Sequence, residues 1–77
     1  MSKLPKLSGK DVVKILVEKF GFQVVRQRGS HVVLRTFKDN EKIVTVVSLH
    51  DEVKVGTLLG ILSLARITKE EFIEALK

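Results

Sequence analysis

The sequence has no cysteine, tryptophan or tyrosine, and only one proline, one methionine and four phenylalanines in 77 residues. Without cysteine there is no disulfide frame, no thiolate metal site and no thiol nucleophile. No apolar run comes near the ~18 residues that a membrane span requires. Met1 to Lys6 hold no apolar stretch of signal-peptide length. A cytoplasmic location is the expectation. Two histidines and scattered acids offer no metal-ligand spacing, so neither a metal nor another cofactor is expected. There is no P-loop, no Gly-x-Gly-x-x-Gly and no Gly-x-Ser-x-Gly. With Phe the only aromatic type, base stacking as on an RNA-recognition sheet has little material.

What is present is branched aliphatic: twelve Val, ten Leu and five Ile within a hydrophobic content of 44%. That load excludes disorder. Residues 1–77 make one small domain, which buries only about 60% of its unfolded surface. Any site on it is shallow, so a polymeric substrate suits it better than a metabolite held in a cavity.

The net charge is +5 and is unevenly spread. Residues 1–38 carry nine Lys/Arg against two acids, net +7, and residues 39–77 carry five against seven, net −2. A basic half points to a polyanion such as nucleic acid.

Ser8 and Asp11 have the spacing of a capping box, with Asp in place of Glu. Val12, Val13, Leu16, Val17 and Phe20 then fall on one helical stripe, and Gly21 supplies a left-handed stop. The first helix is therefore expected over 9–20. Strands are expected over 22–26, 31–37 and 42–48, joined by turns at 27–30 and 38–41, with Gly29 at positive φ. Connections this short make an antiparallel meander. A second helix opens near Gly56-Thr57, where Gly56 and Gly60 suggest close packing. The capping box Thr68-Lys69-Glu70-Glu71 opens a third. The order α-β-β-β-α-α gives an α+β fold, with helices on one face of a three-stranded antiparallel sheet.

Strict alternation assigns Phe22, Val24, Val32, Leu34, Val44 and Val46 to the core face. It leaves Val25, Val33, Phe37, Ile43 and Val47 on the other, with Gln23, His31, Arg35 and Thr45. If helices cover only the first face, the second exposes a patch large for a monomer. A protein partner or self-association is expected there.

The densest chemistry lies in Arg26-Gln27-Arg28-Gly29-Ser30-His31. Imidazole titrates near neutrality, so His31 can take or return a proton. RNA cleavage by the internal 2′-hydroxyl needs a base, an acid, and cations for the charge that builds on phosphorus. His31 is a candidate base or acid. Arg28, with Arg26 or Lys10, can hold the phosphate. Gly29 lets backbone amides approach it, and the Ser30 hydroxyl can donate to it. His50, followed by Asp51, is a secondary candidate for proton transfer.

Several segments together resemble the HicA toxins, also called the YcfA-like family. They are Leu4-Pro5-Lys6-Leu7-Ser8-Gly9-Lys10, Gly21-Phe22, Arg26 to His31, Leu49-His50, Gly56-Thr57-Leu58 and Glu71-Phe72. The resemblance covers nearly the whole chain. It implies a double-stranded-RNA-binding-domain-like fold and metal-independent cleavage of mRNA with His31 as the catalytic histidine. It also implies neutralisation by a HicB-type antitoxin that covers the active site. The chain departs from the family pattern at Ser48, where Pro is usual, and at Arg66, where Gly is usual. The lysine cluster that double-stranded-RNA-binding domains carry at their last helix is missing; only Lys54 stands near it, which argues against long duplex RNA as the ligand. Two other readings remain open: a non-catalytic RNA-binding module, and a small protein-interaction domain built on the apolar sheet face.

Overall fold

Ser8 sits in extended backbone, where its hydroxyl accepts from the Asp11 N–H while the Asp11 carboxylate accepts from the Ser8 N–H. This reciprocal pair satisfies two donors that a helix start otherwise leaves free. It opens α1 (Gly9–Phe20), which Gly21 ends in the left-handed region at φ 72°. The computed structural model describes residues 4–77; Lys3, counted above in the basic half, lies outside them. After α1 come β1 (Gln23–Arg28), β2 (His31–Lys38), β3 (Glu41–Ser48), α2 (Val55–Ala65) and α3 (Lys69–Ala75). The three strands form one antiparallel sheet in the order β1-β2-β3. This is the expected α+β order, consistent with the double-stranded-RNA-binding-domain-like architecture. No helix among the described residues is long and apolar enough to cross a membrane.

Both turns of the sheet have only two residues between their strands. At the first, Gly29 has φ 57° and Ser30 does not enter the left-handed region, the signature of a type II′ turn. The strand β1 therefore runs to Arg28, two residues beyond the expected end. At the second, Asp39 and Asn40 both have positive φ, the type I′ pattern.

The helices pack on one face of the sheet. Val12 and Leu16 of α1, Leu58, Ile61 and Leu62 of α2, and Phe72 of α3 close over Val32 and Leu34 of β2. The rings of Phe20 and Phe72 stack with centroids 6.4 Å apart. The expected faces are right for β2 and wrong for β3. Val32 pairs with Val47, Leu34 with Thr45 and Thr36 with Ile43. Ile43, Thr45 and Val47 are therefore the buried set, while Val44 and Val46 are 37% and 38% exposed. Thr45 is fully buried because its hydroxyl donates to the Ile61 carbonyl of α2 at 2.8 Å. Val24, also expected in the core, is 49% exposed on the edge strand. Gly56 and Gly60 have open space where a Cβ would stand, so they are not the close-packing sites expected.

Candidate functional site

The Gly29-Ser30 turn brings its flanking residues opposite each other: Arg28 pairs with His31 across β1 and β2. Side chains of directly opposed residues project to the same face, with Cβ atoms about 5 Å apart. That face is the one without helices, because the next pair inward, Gln27 with Val32, turns Val32 into the core. On the other side of His31 stands Ser48 of β3, its register partner. His31 is exposed.

Arg26 joins this face through an irregularity. The register shifts between Val24 and Arg26, so Val25 has no partner of its own. Such an extra residue reverses the alternation of everything beyond it. Strict alternation would put Arg26 and Arg28 on the helix side with Val24. The bulge instead pairs Arg26 with Val33 and Arg28 with His31, on the open face.

Backbone hydrogen bonds hold the surroundings of the turn. The Gln27 side-chain amide donates to the Gly29 carbonyl at 3.1 Å. The Leu49 N–H donates to the Ser30 carbonyl at 2.7 Å, and the Gly9 N–H to the His50 carbonyl at 2.8 Å. The start of α1, the end of β3 and the turn are thus tied together. The approach is so close that a Cβ on Gly9 would overlap the Ser48 carbonyl oxygen and lie 2.6 Å from the Leu49 Cα. Around Gly29 the opposite holds: a Cβ there would meet no protein atom within 4 Å, so the space above the turn is open.

The other sequence candidates fall outside this corner. Lys10 lines a groove of about 350 Å³ between α1 and the sheet, with Lys14, Val24 and Gln27. It is therefore on the helix side, not beside Arg28 and His31. His50 lines a separate depression of about 470 Å³ with Glu52, Val53, Lys54 and Thr57, and His31 is not part of its wall. Two more residues share the open face, as strict alternation along β2 assigns them. Arg35 and Phe37 follow His31 at four and six residues along β2, and the Arg35 guanidinium lies 5.4 Å from the Phe37 ring centroid. The period-two spacing from His31 is the signal that marks them.

Among the described residues the only ion pairs are Arg66 with Glu41 and Lys77 with Glu74. Arg26, Arg28 and Arg35 thus stand without a carboxylate partner. No group of three or more His, Asp or Glu among the described residues is placed to hold a metal ion. What the corner offers is an imidazole, adjacent guanidinium groups, a serine hydroxyl and open backbone.

A family model described as the HicA toxin of bacterial toxin-antitoxin matches residues 9–67, from the start of α1 to just beyond α2. No match was found among curated proteins or among solved structures.

Proposed function

The chain belongs to the HicA toxin family of bacterial toxin–antitoxin systems, and on that footing we propose that it is an endoribonuclease that cleaves mRNA with His31. The family makes it the toxin of a pair and implies an antitoxin partner. The observation that carries the chemistry is the cross-strand pair of Arg28 and His31 on the open face, flanking the Gly29-Ser30 turn.

In this reading the His31 imidazole accepts the proton of a ribose 2′-hydroxyl. The 2′-oxygen attacks the adjacent phosphorus, the bond to the 5′-oxygen breaks, and that oxygen takes a proton from water while the His31 imidazolium returns its own proton to solvent. The products are a 2′,3′-cyclic phosphate and a free 5′-hydroxyl. Arg28 and Arg26 offset the negative charge that builds on the phosphoryl oxygens. Gly29 leaves room for a phosphate, and Ser30 donates to it. Lys10, on the helix side, holds a neighbouring stretch of backbone rather than the reacting phosphate. His50 has no step in this scheme. The antitoxin, of HicB type, inhibits by covering the corner around His31.

His31→Ala should lower cleavage of mRNA at least 100-fold, and the wild type should cleave equally well in EDTA. The exposed position of His31 means that the variant keeps its circular dichroism and melting temperature. A folded His31→Ala protein that cleaves at the wild-type rate would sink the assignment. A protein that binds RNA with salt-sensitive affinity but cleaves nothing would be a binding module.

A further inference from the structure

The open sheet face extends well beyond the corner at His31. It carries Arg26, Arg28, Arg35 and Lys42, and no open-face position of the three strands holds an acid. None of these four cations is in an ion pair among the described residues. At the far end stands Phe37, 61% exposed, with the Arg35 guanidinium against its ring. The other aromatic rings serve the interior: Phe20 stacks on Phe72, and Phe22 and Phe72 are buried. Phe37 contributes little to that core.

A row of cations follows a phosphate backbone, and an exposed ring offers a stacking surface that any unpaired base accepts. The guanidinium at the ring adds a second planar group and holds the ring in place. The absence of carboxylates on the face favours a polyanion over a protein of mixed charge. We infer that Phe37, supported by Arg35, is a base-stacking subsite for single-stranded RNA that crosses the open sheet face. It lies six residues beyond His31 along β2, about 20 Å at 3.3 Å per residue. The stacked base therefore lies several nucleotides from the cut. Bases in a duplex are already stacked and do not enter such a subsite. The inference rests on the proposed cleavage at His31 for the position of the cut, but not for the stacking.

The chain contains no tryptophan or tyrosine, so Phe37→Trp installs a single indole reporter at the subsite. In a His31→Ala background, a single-stranded oligoribonucleotide should quench that indole, and a duplex of the same sequence should not. With His31 intact, Phe37→Ala should raise KM for a single-stranded substrate roughly five- to hundredfold. Its kcat should stay near the wild-type value. On a dinucleotide, too short to reach Phe37, the variant and the wild type should behave alike. Wild-type cleavage combined with an unchanged KM in Phe37→Ala overturns the subsite. So does an indole that responds to an antitoxin or to a second copy of this chain but not to RNA. Quenching of the Phe37→Trp indole by single strands, alongside a wild type that cleaves nothing, leaves the subsite standing and removes the endoribonuclease reading instead.

Discussion

The two turns of the sheet lie at opposite ends of β2 and are both two residues long, yet they treat charge in opposite ways. At Asp39-Asn40 the following residue, Glu41, is paired with Arg66, which ends α2 in the left-handed region at φ 58°. One ion pair there joins the hairpin to the helix layer. The neighbouring guanidinium holds the Glu41 carboxyl below its ordinary value, and the carboxylate raises Arg66 in return. At Gly29-Ser30 the flanking Arg28 and His31 face solvent and meet no acid, and hydrogen bonds from backbone and amide groups do the bracing. The contrast separates charge that is neutralised within the fold from charge left available to a ligand.

The largest test of that contrast removes the neutral bracing. Gly9→Ala forces a methyl group into the backbone of Ser48 and Leu49, which cannot swing aside as a flexible side chain would. A loss of about 2–3 kcal/mol is expected, and a melting temperature lower by roughly 10 °C or more. Calorimetry that finds the variant as stable as the wild type would show that α1 does not brace the turn.

Next in size is an exchange of effects between the two ends. Arg28→Ala should weaken RNA binding and reduce the salt dependence of log K by about one, with little change in melting temperature. Arg66→Ala should do the reverse, lowering the melting temperature by less than about 3 °C and leaving RNA affinity unchanged. Titrations at several salt concentrations, alongside thermal melts, separate the two. Equal effects of both variants on RNA would end the distinction.

The smallest effect concerns the helix starts. The Asp11 carboxyl lies below its ordinary 3.8 because Ser8 donates to it, with the charge of Lys14 adding to the effect. The Glu71 carboxyl lies below its ordinary 4.5 through the Thr68 cap, with Lys38 adding to it. Groups depressed in the folded state stabilise it above their ordinary values. That contribution is lost as pH falls through 4.5 and 3.8 toward the lower folded values. Acid titration followed by circular dichroism should show Asp11→Asn and Glu71→Gln, which cannot titrate, losing less stability than the wild type as pH falls through this range. Coincident curves would mean that the caps do not couple to acid stability.

Much of the fold is legible in the sequence because its signals are local. The capping boxes at Ser8 and Thr68, the stop at Gly21 and the positive φ at Gly29 each depend on a few neighbouring residues. The faces of β3 are not local. Valines fall on both parities, and Thr45, polar by type, is buried because a carbonyl of α2 receives its hydroxyl. Nothing in residues 41–48 announces that partner. The candidate corner was legible as a cluster, from Arg26 to His31, but its geometry was not. An unpaired Val25 decides that the arginines and the histidine share a face, and it shows only in the pairing with β2. Phe37, by contrast, was legible: alternation along β2 places it with His31 on the face the helices leave open, where it is 61% exposed.

That unpaired residue has a second effect, on how the molecule behaves in a crowd of its own kind. As an edge of the sheet, β1 carries a row of amides and carbonyls that could template another strand, and its side chains are all exposed. A bulge breaks the even spacing of that row, and Arg26 and Arg28 set like charges along it. A second copy approaching edge to edge meets an interrupted ladder and electrostatic repulsion. The distortion that assembles the cationic corner thus also guards a valine-rich strand against growing into a fibre.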